Sequence, residues 1–287
     1  MALLSHSNPT GRLAAEHPGI VKVGRAGWAA KGVVYLVAGV LAVMIVLKSF
    51  GWSSSATTKE ASPTGAIKTI GGSTGGAVLL WGLALGMLLY AAWRVVSALM
   101  PGGADAKGVV KRIGFLLSAV IYTTFAITAI SLARSSSANA NANANGNSKV
   151  TSLTARIMAH SSGRLVIGVI GAIVIGAGLY RIAKGVKRDV TDELDLSGMS
   201  RRREHWTRRL GVVGEVGRGV GIGLIGFFLL RAALTFNAAQ ATGLDGALRR
   251  LAVQSWGALI VAVVGVGFVS YGMFCLESFT HRRLQAP

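Results

Sequence analysis

Residues 27–47, GWAAKGVVYLVAGVLAVMIVL, form an apolar run that a single charged residue, Lys31, interrupts. At a helical rise of about 1.5 Å per residue, a run of this length crosses the roughly 30 Å of hydrocarbon in a bilayer. The stretch predicts a transmembrane helix, and it raises the question of how a lysine is accommodated inside it.

The composition of the whole chain is that of a membrane protein. Of the 287 residues, 52% are hydrophobic, only 14% are charged and 39 are glycine, which exceeds the glycine content of an ordinary soluble domain. A soluble fold would have to bury several wholly apolar helices of about 20 residues, and runs of that length are ordinarily transmembrane. The single cysteine, Cys275, forms no internal disulfide, and residues 1–20 lack the pattern of a signal peptide.

Six segments are apolar and long enough to span a bilayer, so we expect an all-α integral membrane protein. They cover approximately residues 26–50, 75–100, 110–134, 162–186, 211–235 and 253–279. Lys and Arg number fifteen in the two terminal segments and the even-numbered connections, against seven in the odd-numbered connections. The positive-inside rule then predicts a multi-pass protein of the cell membrane with both termini in the cytoplasm.

The six segments superpose as three tandem helical hairpins, which we expect to surround a pseudo-threefold axis. In the first helix of each hairpin Gly27, Gly114 and Gly214 align, and in the second helix Gly86, Gly176 and Gly267 align within a Gly-x-x-x-Tyr motif. Glycines four residues apart, such as Gly82 and Gly86 or Gly217 and Gly221, permit close helix packing in membranes. The predicted organisation is a cytoplasmic segment 1–25, repeat 1 at 26–104, repeat 2 at 105–188 with a low-complexity loop at 135–149, and a basic loop, repeat 3 and tail at 189–287.

All five tyrosines of the chain fall at two aligned positions of these repeats. They are Tyr35 and Tyr122 in first helices, and Tyr90, Tyr180 and Tyr271 in second helices. Their depth predicts a layer of phenols between the midplane and the cytoplasmic face. Two interpretations stay open: hydrogen-bonded helix packing, or a polar constriction that lines a path for a small solute.

The order of the hairpins resembles that of a bacterial family. Three tandem pairs of helices, with LDLSGMSRRREHWTRRLGVVGEVGRGVG leading into the third pair, resemble the membrane proteins of the domain of unknown function numbered 1206. The resemblance covers nearly the whole chain from about residue 20. It implies a six-span bacterial membrane protein and brings no known activity or site residues.

Several cations lie inside or near the ends of the predicted spans. Snorkelling to the headgroups or local pairing, for example of Arg218 with Glu215, explains them without function. An organised basic ring that binds an anion or an acidic lipid headgroup is the alternative. The candidates for such a ring are Lys31, Arg94, Arg181, Lys184 and Arg218.

No catalytic or metal site is predicted. The string GIGLIG at 221–226 matches a dinucleotide-binding pattern by letter but lies within a span, and the five histidines lack metal-ligand spacing. The acidic residues between 189 and 195 share a loop with Arg201–Arg203, which suggests mutual neutralisation in a short interfacial helix ending at Trp206. We expect no enzymatic activity and no cofactor.

Two classes of function remain for such a chain. The first is a non-enzymatic scaffold or accessory subunit with a membrane-protein partner, and the second is a conduit or binding protein for a small solute, an anion or a lipid. The expected surroundings are the bilayer and its anionic headgroups. Nucleic acid is not an expected partner, because no soluble basic module is present.

Overall fold

A computed structural model describes residues 18–49, 61–99, 106–134, 146–187, 200–254 and 256–278. Within these ranges the chain is helical and contains no strand. The helices are α1 (Pro18–Ser49), α2 (Pro63–Gly71), α3 (Gly76–Leu99), α4 (Ala106–Arg134), α5 (Gly146–Met158), α6 (Gly163–Val186), α7 (Arg201–Leu234), α8 (Leu244–Ala252) and α9 (Gly257–Ser278), with a 3-10 turn at Ala238–Gln240.

Six of these helices are long and apolar enough to cross a bilayer, and they are the six that the sequence predicts. The spans are Gly27–Lys48, Gly76–Leu99, Gly108–Arg134, Gly163–Val186, Arg201–Leu234 and Gly257–Ser278. The protein is therefore a multi-pass membrane protein. We call the end of the bundle where α1 and α7 begin and α9 ends the basic side, and the opposite end the hairpin side.

Two details of the connections differ from the sequence prediction. Helix α7 starts at Arg201, capped by Ser200, and continues without a break through the membrane, so Trp206 does not end a separate interfacial helix. Residues 146–149 belong to α5 rather than to the predicted loop, while residues 135–145 and 188–199 lie outside the described residues. The run from Arg201 continues as helix because Arg and Leu are good helix formers and Ser200 accepts the Arg203 N–H.

Each hairpin carries a short helix on the hairpin side, and these helices join the repeats. The buried carboxylate of Asp245, in α8, accepts the backbone N–H of Ala61 at 2.7 Å and pairs with Arg249 at 3.0 Å. The hydroxyl of Thr151, in α5, donates to the carbonyl of Ala241 at 2.8 Å. Repeat 3 is thus tied to both other repeats at this end of the bundle.

The spans form an incomplete ring. Their spatial order is α4, α3, α1, α9, α7, α6, with each neighbouring pair in contact. The first helix of every repeat packs against the second helix of another repeat, in the pairs α1–α9, α4–α3 and α7–α6. Side chains from five of the spans meet around one point, which an open row of hairpins would not allow. The repeats therefore follow a pseudo-threefold arrangement, as predicted.

The ring is open at one place, between the two helices of repeat 2. Helices α1 and α3 pack together, as do α7 and α9, whereas the described parts of α4 and α6 form no packed interface. The difference is visible at the aligned glycines. A Cβ at Gly27 would lie 2.6 Å from Cβ of Tyr90, and one at Gly214 would lie 2.8 Å from Cα of Tyr271, but one at Gly114 would meet nothing within 4 Å.

Candidate functional site

A cluster of aromatic and cationic side chains fills the centre of the ring, and Lys31 lies in its middle. The lysine is only 4% exposed. Its Nζ lies 4.3 Å from the ring centre of Trp28, 5.1 Å from that of Tyr271, 5.2 Å from that of Tyr90 and 5.6 Å from that of Tyr122. The π faces of these rings solvate the ammonium, which therefore does not snorkel to the surface.

The hydroxyl of Tyr90 adds a polar contact to this cage. It accepts hydrogen bonds from Nζ of Lys31 at 3.4 Å and from Nε of Arg94 at 2.9 Å. The Arg94 guanidinium also lies 5.1 Å from the ring centre of Phe115 on α4. Helices α1, α3 and α4 are joined through these four side chains.

A second half of the cluster is built around Arg218 on α7. Its guanidinium lies 4.0 Å from the ring centre of Tyr271 and 5.0 Å from that of Tyr35. Glu215, one turn earlier, accepts from Arg218 at 3.0 Å with one carboxylate oxygen and from Arg181 of α6 at 3.0 Å with the other. The predicted pairing of Arg218 with Glu215 is present. Arg181 binds the same carboxylate, and this second contact was not predicted from the sequence.

The tyrosines pack against one another as well as against cations. Ring centres are 4.5 Å apart for Tyr90 and Tyr122, 5.0 Å apart for Tyr35 and Tyr271, and 5.3 Å apart for Tyr35 and Phe268, all edge to face. Such geometry is favourable for aromatic pairs. Four of the five tyrosines thus form two edge-to-face pairs, and Lys31 lies between the pairs.

The fifth tyrosine lies outside these pairs. Tyr180 of α6 is 71% exposed, whereas Tyr90 and Tyr271, its counterparts in the other repeats, are each 1% exposed. The reason is the missing contact between α4 and α6, which leaves Tyr180 on the outside of the ring. Lys184 lies one turn further along α6 and is half-buried.

The same difference in exposure between repeat 2 and the other two repeats is found at a second position of α6. Ile173 is 66% exposed, while the aligned residues Leu83 and Val264 are buried. On α4, Leu117 and Ile121 are likewise exposed. We call this surface the open face of repeat 2 and define it by Gly114, Leu117 and Ile121 on α4 and Ile173, Gly176 and Tyr180 on α6.

Two features of the central cluster were not predicted from the sequence. Trp28 contacts Lys31 from the preceding turn of α1, a three-residue spacing that is visible in the sequence. Phe115 contacts Arg94 across helices, and no local pattern indicates that pair. The described residues contain no group of three or more His, Cys, Asp or Glu that would hold a metal ion.

Comparison with known proteins agrees with the threefold repeat. The family described as Domain of Unknown Function (DUF1206) matches the chain three times, over residues 26–100, 113–188 and 213–277. The chain belongs to this family. Each DUF1206 match covers the two spans of one hairpin, so the structural repeat and the family repeat coincide.

One bacterial relative aligns with most of this DUF1206 protein. The Uncharacterized protein YxxB of Bacillus subtilis (strain 168) is 30% identical over 262 residues, which cover 90% of each chain. No solved structure matches the chain. The family membership and the six spans establish a multi-pass membrane protein with tandem repeats.

Proposed function

We propose that this protein is a non-enzymatic scaffold or accessory subunit of a membrane complex, and that it binds a transmembrane helix of another subunit on the open face of repeat 2. The proposal is supported by one observation above all. Positions that are buried between the two helices of repeats 1 and 3 are exposed in repeat 2, as the pair Tyr90 and Tyr180 illustrates.

The pseudo-symmetry indicates what kind of partner fits this face. In repeats 1 and 3 the glycine of the first helix is covered by a helix that carries a Gly-x-x-x-Tyr motif. Nothing lies within 4 Å of a Cβ placed at Gly114 or Gly176, so the approach that a helix needs is free. We infer that the partner offers a transmembrane helix with small residues, because such residues allow close contact between helix backbones.

The conduit interpretation has less support from the geometry. It requires a hydrated path lined by the tyrosines. Instead, Tyr35, Tyr90, Tyr122 and Tyr271 contact one another at ring distances of 4.5 to 5.0 Å or surround the buried Lys31. This arrangement favours a layer that holds the spans together.

The environment that we propose follows from the charge distribution. The basic side faces the cytoplasm, the membrane is the plasma membrane, and anionic headgroups are attracted to the basic side. We propose no role in nucleic-acid binding, since the basic residues are distributed with the connections between spans.

The proposal is tested by gentle extraction of the tagged full-length chain from its native membrane, followed by measurement of the particle mass and of what co-purifies. We expect a stoichiometric second membrane protein. Gly176→Trp should abolish its retention, since the bulky ring would block the helix while meeting little within the chain. A cysteine introduced at Ile173 should cross-link to the same partner, with little background because Cys275 is buried.

The matched control is Val266→Trp. Val266 is exposed on α9 next to Gly267, which is the counterpart of Gly176, and a tryptophan there should leave the partner bound. Retention of the partner in Gly176→Trp would overturn the proposed face. A lone particle with tightly bound lipid or solute would favour the conduit or binding class instead, and a dimer of this chain would exclude the accessory-subunit role.

A further inference from the structure

A groove of about 670 Å³ opens between the start of α7 and the end of α9 on the basic side of the bundle. It is separate from the central cluster, and none of the five cations predicted as headgroup ligands lines it. Its floor is apolar and includes Leu210, Met273 and Leu276. Its volume is in the range of sites that hold small molecules.

The rim of the groove is basic and aromatic. Arg202, Arg203 and Trp206 line it from α7, and Glu277 lines it from α9. Arg203 pairs with Glu277, while Arg202 is exposed and has no ion-pair partner within the described residues. The rim therefore carries one positive charge that the neighbouring carboxylate does not neutralise.

The depth of the groove coincides with the membrane interface. Charged residues continue along α7 from Arg201 to Arg209, and the glycine-rich segment begins at Gly211. Trp206, which is exposed, lies within this charged stretch, and tryptophan is enriched at the interfaces of membranes. Along α7, Arg202 and Arg203 therefore lie nearer to the headgroups than Leu210, which is closer to the apolar part of the span.

Two further features at the same place suit a phosphate group. The groove includes Ser200 and the first turn of the 34-residue helix α7, where backbone N–H groups and the helix dipole favour an anion. In addition, Oγ1 of Thr207, a fully buried residue that lines the groove, has no hydrogen-bond partner among the described residues. A polar ligand group that reached this hydroxyl would satisfy it.

We propose that this groove binds one anionic phospholipid, with the phosphate on Arg202 and Arg203 and an acyl chain along Leu210, Met273 and Leu276. The site goes beyond the proposed subunit function, and it lies on the α7–α9 side of the ring rather than on the open face of repeat 2. A bound lipid there would join α7 to α9 at their interfacial ends.

The test is native mass spectrometry of the full-length protein, titrated in detergent with phosphatidylglycerol or with phosphatidylcholine of the same acyl chains. We expect phosphatidylglycerol to bind at least tenfold more tightly. Arg202→Gln combined with Arg203→Gln should weaken phosphatidylglycerol binding about thirtyfold, because each cation near the interface contributes on the order of a fivefold preference. Arg202→Gln alone, which keeps the pair of Arg203 with Glu277, should weaken it about fivefold.

The matched control removes the same charge from the same helix. Arg201→Gln combined with Arg209→Gln changes two exposed arginines that do not line the groove, and it should leave binding within about twofold. An equal loss of phosphatidylglycerol binding in the control and in the groove variant would show that the lipid is attracted by the overall charge of the helix, and it would overturn the site. Unfolding temperatures measured on each variant separate loss of binding from loss of fold.

Two further measurements distinguish a lipid from other occupants. Met273→Trp keeps every charge but fills the apolar floor, so it should lower phosphatidylglycerol binding about tenfold or more if an acyl chain lies there. Unchanged binding in this variant would overturn the acyl-chain contact. Glycerol phosphate without acyl chains should not displace the lipid, and efficient displacement would show a phosphate site instead of a lipid site.

Discussion

The ammonium nitrogen of Lys31 lies 3.4 Å from the hydroxyl oxygen of Tyr90, which also accepts from Arg94 at 2.9 Å. Two cations from two spans thus share one phenol inside the bundle. Aromatic faces surround the lysine on its other sides. This contact explains how the apolar span of α1 carries a lysine near its start, because rings and a phenol of neighbouring helices surround the charge.

Tyr90→Phe should destabilise the protein by about 1–3 kcal/mol, because the donors of Lys31 and Arg94 lose a buried acceptor. Tyr180→Phe is the matched control, since Tyr180 occupies the same position of the repeat but is exposed, and it should change stability by no more than about 0.5 kcal/mol. Thermal unfolding in a mild detergent measures both. Equal effects of the two substitutions would contradict the structural difference between repeats 1 and 2.

Lys31→Met should leave the free energy of unfolding within about 1 kcal/mol of the parent value. Methionine has a similar shape, packs well against aromatic rings and removes a charge that is costly to bury. Lys31→Ala should instead cost about 2–5 kcal/mol, because it leaves a cavity between Trp28 and Tyr271. If both variants were equally destabilised, the charge itself rather than the packing would hold the cluster together.

The six spans and their repeat were predictable because apolar length and glycine spacing are local properties of the sequence. The aligned triplet of Gly27, Gly114 and Gly214 was visible in the sequence, but the surroundings of each glycine were not. For Gly27 and Gly214 the structure places a tyrosine-bearing helix against the glycine. For Gly114 it does not, because hairpin closure depends on the packing of the whole ring.

Other parts of the structure had no sufficient signal in the sequence. Asp245 joins α8 to Ala61 across 184 positions of the chain, and neither residue belongs to a motif. Arg181 and Arg218 were both predicted as candidate cations, but their common partner Glu215 depends on the packing of α6 against α7. Pairings of this kind follow from tertiary contacts that periodicity does not encode.

Glu215→Gln should be among the most destabilising single substitutions in the chain, at about 3–5 kcal/mol. It leaves the guanidinium groups of Arg181 and Arg218 without the carboxylate that bridges them. The control on the same helix is Glu204→Gln, whose 4.0 Å pair with Arg208 is solvent-exposed and should contribute less than about 1 kcal/mol.

A double substitution tests whether the stability lost in Glu215→Gln is due to the unpaired charge of Arg218. Glu215→Gln combined with Arg218→Met should recover part of the stability lost in Glu215→Gln, since a buried charge is removed together with its partner. Additive losses in the double variant would show that the two residues act independently.

The proposed orientation predicts which loops an impermeant thiol reagent reaches in intact cells. Gln254→Cys, exposed on the hairpin side, should be labelled from outside, and Arg201→Cys, exposed on the basic side, should be labelled only after permeabilisation. Cys275 is buried and contributes little background. The opposite labelling pattern would place the basic side outside the cell.

Gly217→Ala should destabilise the protein by about 1–3 kcal/mol through a clash between α7 and α9. A Cβ at Gly217 would lie 2.5 Å from Cα of Gly267 and 3.0 Å from the carbonyl oxygen of Val263, both of which are backbone atoms that cannot move aside alone.

Gly223 on the same helix provides the matched control. A Cβ there meets nothing within 4 Å, so Gly223→Ala should be neutral or should stabilise by up to about 1 kcal/mol, because alanine is the better helix former. The two variants have identical composition, and only the proximity of α9 distinguishes them. The unfolding temperature in detergent should be higher for Gly223→Ala than for Gly217→Ala. The reverse order would contradict the direct backbone contact between α7 and α9.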